Sequence, residues 1–297
     1  MTLGRRQACL GAATLIASLT GSTRARSAEC AAFDARSIEV PGERLARRCE
    51  LLVPRDSGPN RRLLVLLHGL GETKSEAVGI RAWADRYGLC EAHERLRRPP
   101  VRRVLSDAVY LTDERLAELG RELERAPFRG LAVACPFTPN VFRAGPTAAV
   151  LDRYAAWLVD RLLPVLRREL GAEAATIGLD GVSLGGYAAL EVFLRRPEAF
   201  ATVGSVQGAF GAGLAEAYAA RIERAFAASG RKPLRIATSS FDPGRAANER
   251  LVEVLAKRGI PATLSAPPGP HDQRFLREAG TLEMLLWHDR ALREGAD

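Results

Sequence analysis

A chain of 297 residues, 47% hydrophobic and 26% charged, with 27 glycines and 17 prolines, has the makeup of a globular protein. That composition excludes collagen, a disordered tail, a disulfide miniprotein and a polytopic membrane protein. The formal charge of +8 does not argue for nucleic acid: apart from Lys74, Lys232 and Lys257 the 43 basic residues are arginines, scattered among acids as in Arg121-Glu122-Leu123-Glu124-Arg125, and no nucleic-acid-binding motif is present.

Residues 1–27 read as an export signal. Arg5-Arg6 form its charged start, Cys9 to Leu19 is apolar, and small residues surround the cleavage region Ala25-Arg26-Ser27-Ala28. The apolar run is about a dozen residues against about 20 for a membrane span, so no permanent membrane anchor is expected. The paired arginines are compatible with the twin-arginine route; the competing reading is a cytosolic extension. Cleavage after Ser27 removes Arg5, Arg6, Arg24 and Arg26 and no acid, which halves the net charge. It also removes Cys9 and leaves Cys30, Cys49, Cys90 and Cys135. Outside the cytoplasm these can form two disulfides in three connectivities. Cys30–Cys49 with Cys90–Cys135 is the expected pairing, because the first two flank a predicted hairpin. No two cysteines have the spacing of a metal or redox pair.

The hairpin comprises Ser37–Val40 and Cys49–Val53 around the Pro41-Gly42 turn. Arg61–Leu67 follows, with the uninterrupted apolar run Leu63 to Leu67 expected of a strand covered on both faces. Similar strands are predicted at Leu131–Cys135, Thr176–Gly181, Thr202–Val206 and Leu234–Thr238, with a last one near Ala262–Ser265. Between them lie amphipathic stretches. In Val150–Leu170 the residues Leu151, Tyr154, Leu158, Leu162 and Val165 share one helical face, and Pro164 predicts a kink or break. Asn248–Arg258 is a second helix, stopped by Gly259 and Pro261. Such alternation implies a mostly parallel, doubly wound α/β sheet of about eight strands in one domain, residues 28–297. The segment from Glu91 to Gly130 exceeds an ordinary strand–helix connection and contains a helical stretch, Asp113–Arg125. It reads as a lid or binding loop that would encode substrate choice, or as a plain surface elaboration.

The chemistry is concentrated in Gly181-Val182-Ser183-Leu184-Gly185-Gly186, which follows a buried strand and precedes a helix. A G-x-S-x-G segment in that context is a nucleophile elbow: the sharp turn exposes Ser183 Oγ, and side chains two residues either side would strike backbone. The Leu184 N–H, at a helix amino end, is one expected oxyanion donor. Leu70, in Leu67-His68-Gly69-Leu70-Gly71, supplies the other, with His68 read as structural. Ser183 needs a base and the base needs an orienting acid. Of the four histidines, His93 and His288 fall on helices and read as packing residues, whereas His271 lies in the loop after the last strand. His271 is the expected base. The acid is expected after the preceding strand, at Asp242 in Phe241-Asp242-Pro243-Gly244, although Asp before Pro is also a helix start. Asp180 and Asp272 are rivals too close in sequence to other members of the triad.

The order Ser183, Asp242, His271 is that of the α/β-hydrolase fold. Leu66 to Gly71, Gly181 to Leu190, Arg196-Pro197-Glu198-Ala199-Phe200, Asn248 to Leu251 and Gly269-Pro270-His271-Asp272 together resemble the esterase D-like group of that superfamily, over residues 37 to 292. That group contains S-formylglutathione hydrolases, feruloyl esterases and siderophore esterases. The resemblance implies a serine esterase acting through an acyl-enzyme, without cofactor or metal, on a small-molecule or glycan-linked ester. An acyltransferase, a peptidase or a non-catalytic binding protein of the same fold are the alternatives. One departure stands out: Val203-Gly204-Ser205-Val206-Gln207-Gly208 replaces the usual Ser-x-Ser-Gly, which leaves the pocket wall and the substrate class open. Oligomeric state is not legible.

Overall fold

The computed structural model describes residues 30–40, 45–56, 62–172 and 176–294. The predicted export segment and the Pro41-Gly42 turn lie outside them. Eight strands form one sheet: β1 Phe33–Glu39, β2 Arg48–Pro54, β3 Arg62–Leu67, β4 Ala132–Pro136, β5 Thr176–Gly181, β6 Thr202–Val206, β7 Leu234–Ala237 and β8 Thr263–Ser265. Their spatial order is β1-β2-β4-β3-β5-β6-β7-β8. β1, β2 and β4 pair antiparallel, and every pairing from β4 through β3 to β8 is parallel. This is the α/β-hydrolase architecture, and each predicted strand is present within one residue of its expected ends, except that β1 begins four residues earlier.

The apolar run of β3 explains why this strand is central. Successive side chains point to opposite faces. Leu63, Val65 and Leu67 therefore enter one core layer, and Leu64 and Leu66 enter the other. The first layer receives the helix Leu184–Arg195 and the long element from Thr147 to Glu169. In the latter, Tyr154, Leu158 and Leu162 face the core as their spacing predicts. Pro164 does not break the element. Trp157–Leu162 winds as a wide π turn, with the Leu163 N–H reaching Leu158 O, and Pro164 then falls in the first turn of Leu163–Glu169. The widened turn accommodates the proline ring and its missing N–H, so the helix continues through it.

The second layer holds the insertion. The helices Leu89–Arg97 and Asp113–Arg125 bury Leu89, Leu96, Leu119 and Leu123 with Leu282, Leu285 and Leu286 of the terminal helix Thr281–Glu294. Glu278, fully buried, accepts hydrogen bonds from Arg95 Nη2 (3.0 Å) and from the Val104 and Leu105 amides (2.8 and 2.9 Å). Arg115 grips Glu283 with two bonds of 2.7 Å. Much of the arginine content is thus spent on intramolecular pairs, in keeping with the absence of a basic stripe.

The expected disulfide pairing is wrong. Cys30 bonds Cys90, and Cys49 and Cys135 are buried free thiols. Cys49 enters one core layer while Cys30 packs against the other, so the expected Cys30–Cys49 bond would have to cross the sheet; strand register then keeps the two remaining thiols apart. Glu50, not Cys49, sits opposite Cys135. Neighbours along a strand face opposite ways, so Cys49 enters one core layer and Cys135 the other. No helix among the described residues is long and apolar enough to cross a membrane.

Candidate active site

Ser183 stands between β5 and the helix Leu184–Arg195 with φ 56° and ψ −116°. Such a conformation costs a residue with a side chain about 1–3 kcal/mol and persists only where its surroundings impose it. Here the Val182 N–H donates to Leu67 O (3.1 Å) at the end of β3, and the Ser183 N–H donates to Val206 O (2.9 Å) at the end of β6. The turn is also too tight for side chains at the flanking glycines. A Cβ on Gly181 would lie 2.4 Å from Gly185 O, and one on Gly185 would lie 2.2 Å from Leu67 O.

His271 and Asp242 meet as the sequence predicts. His271 Nδ1 and Asp242 Oδ1 are 2.8 Å apart, and the Asp242 side chain is sealed from solvent while a third of the His271 side chain is open. Asp242 Oδ1 also accepts the Gly244 N–H (2.9 Å), and its Oδ2 accepts the Thr238 hydroxyl (2.7 Å). Burial alone would raise this carboxyl, but the bonds from His271, Thr238 and Gly244 outweigh it and hold the group below the ordinary carboxylate value. The loops that carry the pair are joined: the Phe241 N–H donates to Gly269 O (3.0 Å) and the Ser240 N–H to Pro267 O (3.0 Å). Ser183 and His271 line one cleft of about 190 Å³ with Leu70, Glu72, Tyr87, Gln207 and Gln273.

The other histidines are elsewhere. His93 packs edge-on between Phe33 and Phe128, and burial pushes it down to about 4. His288 bonds Asp180 Oδ2 (3.0 Å) and Thr202 Oγ1 (2.9 Å). Thr202, His288 and Asp180 thus form a second hydroxyl–imidazole–carboxylate chain, but all three are completely buried and out of reach of any substrate. Asp272 caps the helical turn at Gln273–Phe275 through the Phe275 N–H (2.8 Å).

His68 has a definable structural task. The Thr138 N–H can only donate, and it points at His68 Nε2 (2.9 Å). The ring proton therefore sits on Nδ1, which donates to Gly69 O (2.9 Å). Burial pushes His68 down to about 4, so the ring is neutral around pH 7. In a trans peptide the C=O and N–H point opposite ways. Anchoring Gly69 O to the buried ring turns the Leu70 N–H away from it, and both Gly69 and Leu70 border the cleft. The Leu184 N–H opens a helix and has no acceptor one turn back. These are the two amides predicted as oxyanion donors.

Gln207, Glu72, Tyr87 and Gln273 of the cleft escaped the sequence reading. Gln207 and Ser183 are the two non-glycine residues with positive φ among the described residues, and both line the cleft. Gln207 Nε2 donates to Ser239 Oγ (2.7 Å) and to Pro270 O (2.8 Å), which ties the end of β6 to the acid loop and to the residue preceding His271. Glu72 and Tyr87 form the wall on the Leu70 side. The only hint of Gln207 in the sequence was its place in the segment that departs from Ser-x-Ser-Gly. The insertion, by contrast, contributes no residue of 91–130 to the cleft. It instead holds the segment after His271, through the bonds of Arg95 and the Val104 and Leu105 amides to Glu278. A larger groove of about 900 Å³ at the opposite ends of β7 and β8, lined by Lys232, Ile260 and Trp287 among others, contains none of these groups.

A family model described as "Putative esterase" matches residues 140–255, a span that holds Ser183 and Asp242 but neither Leu70 nor His271. No curated protein matches the chain in sequence. Among solved structures, a ferulic acid esterase superposes with a TM-score of 0.59 at 13% identity, covering 88% of this chain and 99% of its own. The fluorophosphonate-binding serine hydrolase F (FphF) of Staphylococcus aureus, with substrate bound, gives 0.57 at 14% identity over 86% and 98%. The S-formylglutathione hydrolase FrmB of the same organism gives 0.55 at 15% over 86% and 96%. At such identities the likeness is one of fold. The likeness gives the chain the α/β-hydrolase fold, and within it residues 140–255 match an esterase family model.

Proposed function

We propose that the protein hydrolyses a carboxylic ester through an acyl-enzyme on Ser183. The observation that carries this reading is the His271–Asp242 hydrogen bond opening onto the cleft that Ser183 borders. His271 Nε2 takes the Ser183 proton as Oγ bonds to the carbonyl carbon. The Leu70 and Leu184 amides receive the oxyanion. The tetrahedral adduct collapses with loss of the alcohol, which takes the proton from His271. Water, deprotonated by the same ring, then attacks the acyl-enzyme and releases the acid and Ser183. Asp242 keeps the Nδ1 proton in place and stabilises the imidazolium. No step requires a cofactor or metal. The small cleft favours a short acyl group, whether the ester is free or carried on a glycan.

A p-nitrophenyl ester of a short acid tests the scheme. Rapid mixing is expected to release a burst of about one nitrophenol per enzyme ahead of the steady state wherever deacylation is the slower step, with a matching acyl mass on the intact protein. Turnover without any acyl-protein, even after acid quenching, would count against the covalent route.

Gln207 is read as a positioning residue for His271. Gln207→Met keeps the length and loses both donated bonds, so kcat is expected to fall about 10- to 100-fold with KM nearly unchanged. Gln207→Glu is not expected to rescue it, because a carboxylate cannot donate to Pro270 O. Steady-state kinetics of both variants check this. We further propose that the chain is exported with residues 1–27 as leader, by the twin-arginine route, and that residues 28–297 are one catalytic domain. The Cys30–Cys90 disulfide, a bond rare in the cytosol, supports export.

A further inference from the structure

Glu72 is a carboxylate in the wall of the cleft, 3% exposed, and the triad does not use it. Its partners are all donors. Oε1 accepts Arg86 Nη1 (3.2 Å) and, more weakly, Gln273 Nε2 (3.4 Å), while Oε2 accepts the Tyr87 hydroxyl. Tyr87 in turn accepts the Gly69 N–H (3.2 Å). A carboxylate offers about four lone-pair sites, two on each oxygen. Both on Oε1 are taken, and one on Oε2 is left.

The open site faces the chemistry. A Cβ placed on Gly69 would lie 3.3 Å from the Tyr87 hydroxyl, 3.7 Å from Glu72 Oε2 and 3.8 Å from Ser183 Cβ, so one small space touches all three groups. The glycine keeps that space clear beside the nucleophile. The Arg86 guanidinium balances the Glu72 charge, so the pair does not call for a cation. What Oε2 can still accept is one more neutral hydrogen-bond donor.

We propose that Glu72 is a specificity-determining residue that binds a hydroxyl group of the substrate within about two bonds of the scissile ester. The inference rests on the esterase reading and narrows it to hydroxylated short esters. The hydroxyl belongs either to the acyl group or to the alcohol; the chemistry at Oε2 is the same for both. A site built to pair a substrate hydroxyl discriminates against the analogue lacking it, because the buried acceptor then loses that bond.

Two matched pairs test this in the full chain: p-nitrophenyl 2-hydroxypropanoate against p-nitrophenyl propanoate, and the monoacetate of ethylene glycol against ethyl acetate. In each, kcat/KM for the hydroxylated ester is divided by that for its partner, and the ratio is compared between wild type and Glu72→Gln. Comparing ratios cancels intrinsic reactivity and any general loss in the variant. For at least one pair the ratio is expected to fall about 10- to 100-fold, the worth of a hydrogen bond to a charged group. Which pair responds locates the hydroxyl. Glu72→Asp, which draws the carboxylate back by one methylene, is expected to lower the same ratio and serves if Glu72→Gln melts early. Ratios unchanged in both pairs, with both esters of a pair losing activity alike, would make Glu72 a mere support of the Gly69 loop and overturn the proposal. Absence of wild-type activity on all four esters would instead overturn the esterase reading itself.

Discussion

Ser183→Ala and His271→Ala are each expected to lower kcat for ester hydrolysis by about 10⁶-fold, and the double variant is expected to be no worse than either. The nonadditivity follows from the scheme. Without the imidazole, Oγ remains a protonated alcohol; without Oγ, the imidazole has nothing to activate at the carbonyl. A residual rate above that of water should survive, since the Leu70 and Leu184 amides and the cleft remain. Neither change should threaten the fold. Ser183 is held through its backbone, where the Ser183 N–H donates to Val206 O and Ser183 O accepts the Tyr187 and Ala209 amides. Alanine in that left-handed conformation is no more strained than serine. Single-turnover rates with circular dichroism as the folding control check the series. Additive losses would indicate two independent groups rather than one device.

Asp242→Ala is expected to cost about 10⁴-fold in kcat, and Asp242→Asn distinctly less, about 10²- to 10³-fold. The difference comes from the donors around the carboxylate. The Gly244 N–H at Oδ1 can only donate, whereas the Thr238 hydroxyl at Oδ2 can rotate and accept. An asparagine therefore places its oxygen at the Oδ1 position, where it still accepts from His271 Nδ1, and its amide nitrogen towards Thr238. The tautomer is preserved and only the charge that stabilises the imidazolium is lost. Thr238→Val with Asp242→Asn removes the hydroxyl that accepts from the amide, leaves that nitrogen unmatched and should bring the loss nearer to that of alanine. Steady-state kinetics of the four proteins, wild type included, check this order. The wild-type carboxyl is held low, so its stabilising contribution is complete above about pH 4 and disappears only as the pH falls through the lowered value.

The strands were legible because runs such as Leu63 to Leu67 are buried on both faces, which leaves an uninterrupted apolar signature. The elbow was legible because its geometric demands fall on glycines at fixed spacing from Ser183. Asp242 and His271, which the structure brings into a hydrogen bond, were singled out by chain order and loop position. What escaped depends on registers that local sequence does not carry. Cys49 enters one core layer and Cys30 packs against the other, so the expected Cys30–Cys49 bond is excluded and Cys30 instead meets Cys90. Gln207 reaches Pro270 across 63 residues of sequence, and Gln273 meets Glu72 across 201. The insertion looked like a substrate element because it is long. Its helices carry apolar faces that are satisfied by the terminal helix, and the cleft wall beside Ser183 is built from the Leu70 loop and Tyr87.

The central claim, that Ser183 is the activated nucleophile, is tested most directly by labelling the full chain with a fluorophosphonate and mapping the modified peptide. The account predicts about one adduct per protein, on the peptide that contains Ser183, formed far more slowly in His271→Ala and absent in Ser183→Ala. An adduct on another residue, or one that persists in Ser183→Ala, would contradict it.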